Sequence, residues 1–123
     1  MDFFEKYQKQ EMERIKAGSV DGKHFTRYIE EVKQLKKEKN HTEAISLLTK
    51  LVDATEKEFL VCGSDIAPWY YEQLAIIYRK EKLINEEIEI LERYEQKTKV
   101  LRDKPSKLES RLVKAKEIYA KKV

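Results

Sequence analysis

Two stretches of the chain, from Tyr28 to Ala54 and from Trp69 to Tyr94, carry the same order of apolar, small and charged residues. In each, apolar residues recur at three- and four-residue spacing, pause at a short polar break, and resume at the same spacing. That period belongs to helices that bury one face. A helical hairpin that occurs twice is a stacking unit, and stacked units build a surface that holds another molecule.

The rest of the composition fits an all-α chain. Charged residues make up 40% and hydrophobic ones 41%, as in helices with one apolar and one solvated face. Only 3 Gly and 2 Pro interrupt the sequence, too few breaks for a many-stranded sheet. At 123 residues the expectation is a single domain, 1–123. It divides into an N-terminal helix (2–18), a first hairpin (23–62), a second hairpin (65–103) and a C-terminal helix (106–121), about six helices in all. No stretch approaches the roughly 20 apolar residues of a membrane span. The opening Met-Asp-Phe-Phe-Glu-Lys puts charges where a signal peptide needs apolar residues. A cytoplasmic protein with no membrane partner is expected. The lone Cys62 has no cysteine to pair with and reads as a small, semi-buried residue.

Asp2 is placed to cap the first helix, and Phe3, Phe4, Tyr7, Met12 and Ile15 form its apolar stripe up to Gly18. This helix reads as a cap packed on the hairpins, with a free hydrophobic arm that docks on a second copy or a partner as the alternative. Asp21-Gly22 marks a turn. A helix from about His24 to Lys39 follows, with Tyr28, Ile29, Val32 and Leu35 on its stripe. Thr42 is expected to cap the next helix, which runs through Phe59 and Leu60 to Gly63. Ser64 or Asp65 is expected to cap the fourth helix, with Pro68 in its first turn. The fifth helix turns Ile88, Leu91 and Tyr94 inward and Glu86, Glu87, Glu89 and Glu92 outward. Ser106 is placed to cap the last helix.

The second hairpin resembles the tetratricopeptide family, whose unit is a helix–turn–helix with small residues where the helices touch. Leu74-Ala75 followed by Tyr78 resembles the family's first helix, and Tyr71 stands where the family often has Trp. In the first hairpin, Glu43-Ala44-Ile45 with Leu48 resembles the start of the family's second helix. Glu87 departs from the pattern, since it occupies a small-residue position, as does Val32 in the first hairpin. The offset from Ala44 to Glu87 also exceeds the family's unit length. An unrelated helical bundle with the same pattern stays open as an alternative.

The resemblance implies a groove lined by the first helix of each unit. Its contacts would be Ile29, Lys33, Lys36 and Lys37, then Trp69, Glu72, Ile76, Arg79 and Lys80. Such a groove is basic with apolar anchors and suits a protein or peptide, acidic in part. It lacks the Asn residues of the family's carboxylate-clamp members. Reversing charge at Lys33 and Arg79 is expected to weaken capture without disturbing the fold.

Enzymatic chemistry has no visible seat. His24 and His41 stand far apart, with no His or Cys at metal-ligand spacing, and read as surface or turn residues. No nucleophile motif or phosphate loop is present. No cofactor, metal or catalytic residue is expected. Charge is uneven: residues 1–90 hold 15 Lys and Arg against 18 Asp and Glu, and residues 91–123 hold 11 against 5. The competing readings are therefore nucleic-acid binding by the basic C-terminal region, Arg102 included, and self-association through the N-terminal helix.

Overall fold

The computed structural model describes residues 2–63, 65–101 and 104–122, and Ser64 and Arg102 lie outside that set. Six α-helices account for most of the described residues: α1 (Phe3–Ala17), α2 (Ile29–Lys37), α3 (His41–Cys62), α4 (Pro68–Lys80), α5 (Ile84–Thr98) and α6 (Glu109–Lys122). The all-α expectation holds. The only strands among the described residues, β1 (Ser19–Val20) and β2 (Lys23–His24), form a short antiparallel hairpin. Packing divides the chain into two compact units, Met1–Asp65 and Ile66–Val123.

In the first unit, Asp2 accepts the Glu5 N–H at 2.8 Å and starts α1. Asp21 and Gly22, at φ 50° and 83°, turn the chain from β1 to β2, the left-handed pair that a two-residue hairpin requires. The expected helix from His24 is therefore shorter. His24 is extended (φ −60°, ψ 145°), a 3-10 turn spans Phe25–Tyr28, and regular helix begins at Ile29. The buried Tyr28 hydroxyl donates to the Val20 carbonyl, and Lys23 Nζ lies 4.3 Å from its ring centre. Burial, with help from Asp21 and Glu31, raises the phenol's pKa.

Helix α3 is capped by Asn40, whose side chain accepts the Glu43 N–H at 3.4 Å, and not by Thr42. Val32 from α2 and Ala44, Leu48, Leu51 and Val52 from α3 are buried. Gly63 ends α3 at φ 70°, its N–H donating to the Phe59 carbonyl at 2.7 Å. Helix α1 packs on α3 as a cap should, but Phe3, Phe4, Tyr7, Met12 and Ile15 remain exposed. The apolar stripe of α1 is not what holds it.

In the second unit α4 starts at Pro68 without a side-chain cap; Ala67, not Asp65, is the N-cap residue. A proline in the first turn leaves one fewer orphan N–H to satisfy. Tyr71, Leu74, Ala75 and Ile77 of α4 are buried, as are Ile84, Ile90, Leu91 and Tyr94 of α5. The rings of Tyr71 and Tyr94 meet 5.1 Å apart. Ile90 takes the inward place expected of Ile88, which is half-buried. Ser106 precedes α6 as expected, accepting the Leu108 N–H at 3.2 Å and donating to the Glu95 carboxylate.

The two inter-helix turns are built alike, 43 positions apart. In the first, the N–H groups of Glu38, Lys39 and Asn40 donate to the carbonyls of Gln34, Lys36 and Leu35, and in the second those of Glu81, Lys82 and Leu83 donate to Ile77, Arg79 and Tyr78. Lys39 and Lys82 take the left-handed conformation in each, at φ 58° and 60°. The same offset carries Ala44 onto Glu87.

Ala75 has no exposed surface in the second unit, so Ala75→Phe should overpack α4 against its neighbours. The expected loss is about 1–3 kcal/mol of stability in a denaturant titration. A variant as stable as the parent would show that the contact at Ala75 has room to spare.

Candidate interaction site

The residues expected to line a groove fall into two sets, one in each unit. On α2, Ile29, Lys33, Lys36 and Lys37 lie on one side by helical spacing, with Lys33 and Lys37 exposed and Ile29 and Lys36 half-buried. Lys33 stands 3.6 Å from Glu30, a solvent-exposed pair worth little. On α4, Trp69, Glu72, Ile76 and Lys80 form a stripe opposite the face on which Tyr71, Leu74 and Ala75 are buried. Trp69, Glu72 and Ile76 are half-buried and Lys80 is exposed. The Trp69 ring meets Tyr70 edge-on at 5.0 Å, which fixes the indole against the helix that presents it.

Arg79 belongs to a different arrangement. Its Nε donates to Glu87 Oε1 at 3.0 Å, and its Nη2 lies 2.8 Å from Oε2. From α6, Arg111 brings Nη1 to 3.5 Å from Oε2 and offers its carbonyl to Arg79 Nη2 at 3.3 Å. Glu87 has no exposed surface. The expectation that Glu87 faces outward is thus corrected: it occupies a core position of α5 between two arginines. A forked guanidinium satisfies both carboxylate oxygens at once, which is what an acid needs when water is excluded. Arg79 is consequently bound inward, and a charge reversal there reaches the core.

The first unit holds a comparable cluster that the sequence reading missed. Glu58 of α3 is buried; its Oε1 accepts from Arg14 Nη1 at 2.5 Å and lies 3.0 Å from His24 Nε2. His24 Nδ1 lies 2.9 Å from Thr26 Oγ1 and accepts the Thr26 N–H at 3.4 Å. An accepting Nδ1 assigns the ring proton to Nε2, facing Glu58. Gly18 permits this approach, because a Cβ there would stand 2.8 Å from His24 Nε2. His24 is accordingly an anchor of the β-hairpin on α3, where a surface or turn residue was expected. Arg14 also grips Glu11 at 3.2 and 2.9 Å. Their bond lowers the pKa of Glu11, and with Glu58 it raises that of Arg14. The Glu11 contribution is therefore full above the ordinary carboxylate range and fades as pH falls through its lowered value.

Both clusters had a legible trace. Glu58 follows Leu51 by seven residues and Ala54 by four, while Glu87 follows Ile84 by three and precedes Leu91 by four, so each acid stands on an apolar stripe. Their partners come from other elements of the fold, Arg14 from 44 residues away and Arg111 from 24, and no local pattern names them. Chemically these are closed ion pairs. Among the described residues no cluster of His, Cys, Asp or Glu is arranged to hold a metal ion. Cys62 is exposed, not semi-buried, at the end of α3 beside Gly63. Among the described residues no helix is long and apolar enough to cross a membrane.

Arg79→Glu should lower stability by about 3–5 kcal/mol, because it leaves Glu87 buried against a like charge. Lys33→Glu should change it by no more than about 0.5 kcal/mol. Parallel urea titrations compare the two, and equal effects would deny the distinction between the inward arginine and the surface lysine. No family model, curated protein or solved structure matches this chain.

Proposed function

We propose that the chain is a cytoplasmic, tetratricopeptide-like interaction module with no catalytic role, binding a protein or peptide through the first helices of its two hairpins. The stripe of Trp69, Glu72, Ile76 and Lys80 on α4 carries this reading. It combines a ring held edge-on by Tyr70, an aliphatic neighbour two turns away and charges of both signs. Rigid aromatic surface of that kind contributes much contact for little ordering cost. The matching turns 43 residues apart support a duplicated unit. On α2 the exposed Lys33 and Lys37 favour a partner with acidic side chains.

Nucleic-acid binding by the C-terminal region is the weaker reading, because its basic side chains have carboxylate neighbours. Arg111 is spent on Glu87, Lys116 lies 3.3 Å from Glu92, and Lys114 lies 3.9 Å from Glu117. Basic side chains with carboxylate neighbours release fewer counterions from a phosphate backbone.

Capture from native lysate tests the reading, using the parent, Trp69→Ala and Lys37→Glu/Lys80→Glu, with circular dichroism to verify equal helicity. The parent should retain a protein that both variants lose. Equal retention by all three would refute the assignment of these helices, and a salt-sensitive shift of a labelled oligonucleotide without protein capture would favour the basic C-terminal region.

A further inference from the structure

Helix α1 is fastened to the first unit by Arg14 at its C-terminal half, yet its large apolar side chains have no cover. Phe3 is 85% exposed, Phe4 66%, Met12 71%, Tyr7 55% and Ile15 45%. Together they present roughly 600 Å² of surface on a single helix, at the upper end of what a lone soluble domain leaves bare. At about 100° per residue, Phe4, Ile15 and Met12 fall along one seam, with Gln8 among them. Phe3 and Tyr7 widen it along the edge that carries Arg14.

The charges beside that seam select its partner. Glu5 and Lys16 project from the same edge of α1, about 20° apart in azimuth and about 16 Å apart along the axis. Both are exposed, and neither the Glu5 carboxylate nor the Lys16 ammonium has a partner among the described residues. In a two-fold parallel pair this edge faces the opposite edge of the partner's seam, the one that carries Tyr7 and Arg14, so Glu5 and Lys16 do not meet each other. An antiparallel one sets Glu5 against Lys16 at both ends, and it brings Phe4 to Ile15 across the seam. A lipid surface fits less well. From Asp2 to Lys16 the segment carries four acids (Asp2, Glu5, Glu11, Glu13) and four bases (Lys6, Lys9, Arg14, Lys16), without the cationic excess of a membrane-lying helix.

We propose that two copies of this chain associate through antiparallel pairing of α1, with Phe4, Met12 and Ile15 in the seam and Glu5 of each copy facing Lys16 of the other. The paired area lies at the low end for specific interfaces, so the dimer is dissociable and its population follows concentration. The association uses residues other than those of the α2 and α4 stripes.

Sedimentation velocity over a concentration series tests the pairing and its direction. The parent should shift from monomer to dimer, and Phe4→Glu/Ile15→Glu should stay monomeric with total helicity unchanged by circular dichroism. Glu5→Lys alone and Lys16→Glu alone should each weaken the dimer about tenfold, by exchanging two attractions for two repulsions. The double exchange Glu5→Lys/Lys16→Glu should restore it to within about twofold. A parent that is monomeric throughout, a dimer that survives Phe4→Glu/Ile15→Glu, or a double exchange no better than the singles would each overturn the proposal. So would a parent that binds neutral phosphatidylcholine vesicles through α1 while remaining monomeric in their absence.

Discussion

A carboxylate without access to water must be matched by charge and hydrogen bonds, and Glu87 imposes that condition on the whole second unit. Once it sits on the inward face of α5, α4 must present Arg79 and α6 must present Arg111. The two arginines are in turn joined through the Arg111 carbonyl. Three helices are thereby fixed to one point. Apolar contact alone is less discriminating, since Leu74, Ile77, Ile90 and Leu91 offer similar shapes over several rotations of a helix. The ion pair adds modest net energy compared with an apolar substitute of the same size, and its structural consequence is orientation.

The first unit meets the same requirement with different chemistry. Glu58 takes Arg14 from α1 and His24 from the β-hairpin, so the segment before α2 is tied down by polar contacts while the apolar stripe of α1 stays open. This division of labour explains why α1 is a cap on one side and a bare surface on the other. The comparison between units is sharpest at the position after the inter-helix turn: Ala44 keeps the close contact of a small residue, and Glu87 replaces it with a neutralised charge. Identical turn bonds 43 residues apart frame that difference, so the divergence lies in the core partners and not in the way the helices are joined.

Much of this was legible in the residues. Periodicity placed the helices because each apolar stripe had to be covered, and Asp21-Gly22 announced a turn because only left-handed backbone closes it. What escaped was whatever depended on contact across the sequence. Glu87 was read outward because acids usually are, although its spacing from Ile84 and Leu91 set it on the buried face; Arg79 and Arg111, its partners, are 8 and 24 residues away. His24 escaped likewise, since nothing near it in sequence points to Glu58. Thr42 lost the cap of α3 because Asn40 sits where its side chain reaches the Glu43 N–H. The candidate surface on α4 was visible in the pattern, apart from Arg79, whose length and charge suit a groove and a buried acid equally well.

The Arg79–Glu87 pair orients the second unit, and a double-mutant cycle measures that coupling directly. Urea unfolding of the parent, Arg79→Met, Glu87→Met and the double variant isolates the coupling between the two side chains. A coupling of about 2 kcal/mol or more, with the double variant closer to the parent than Arg79→Met alone, is the predicted result. Additivity within about 0.5 kcal/mol would contradict it.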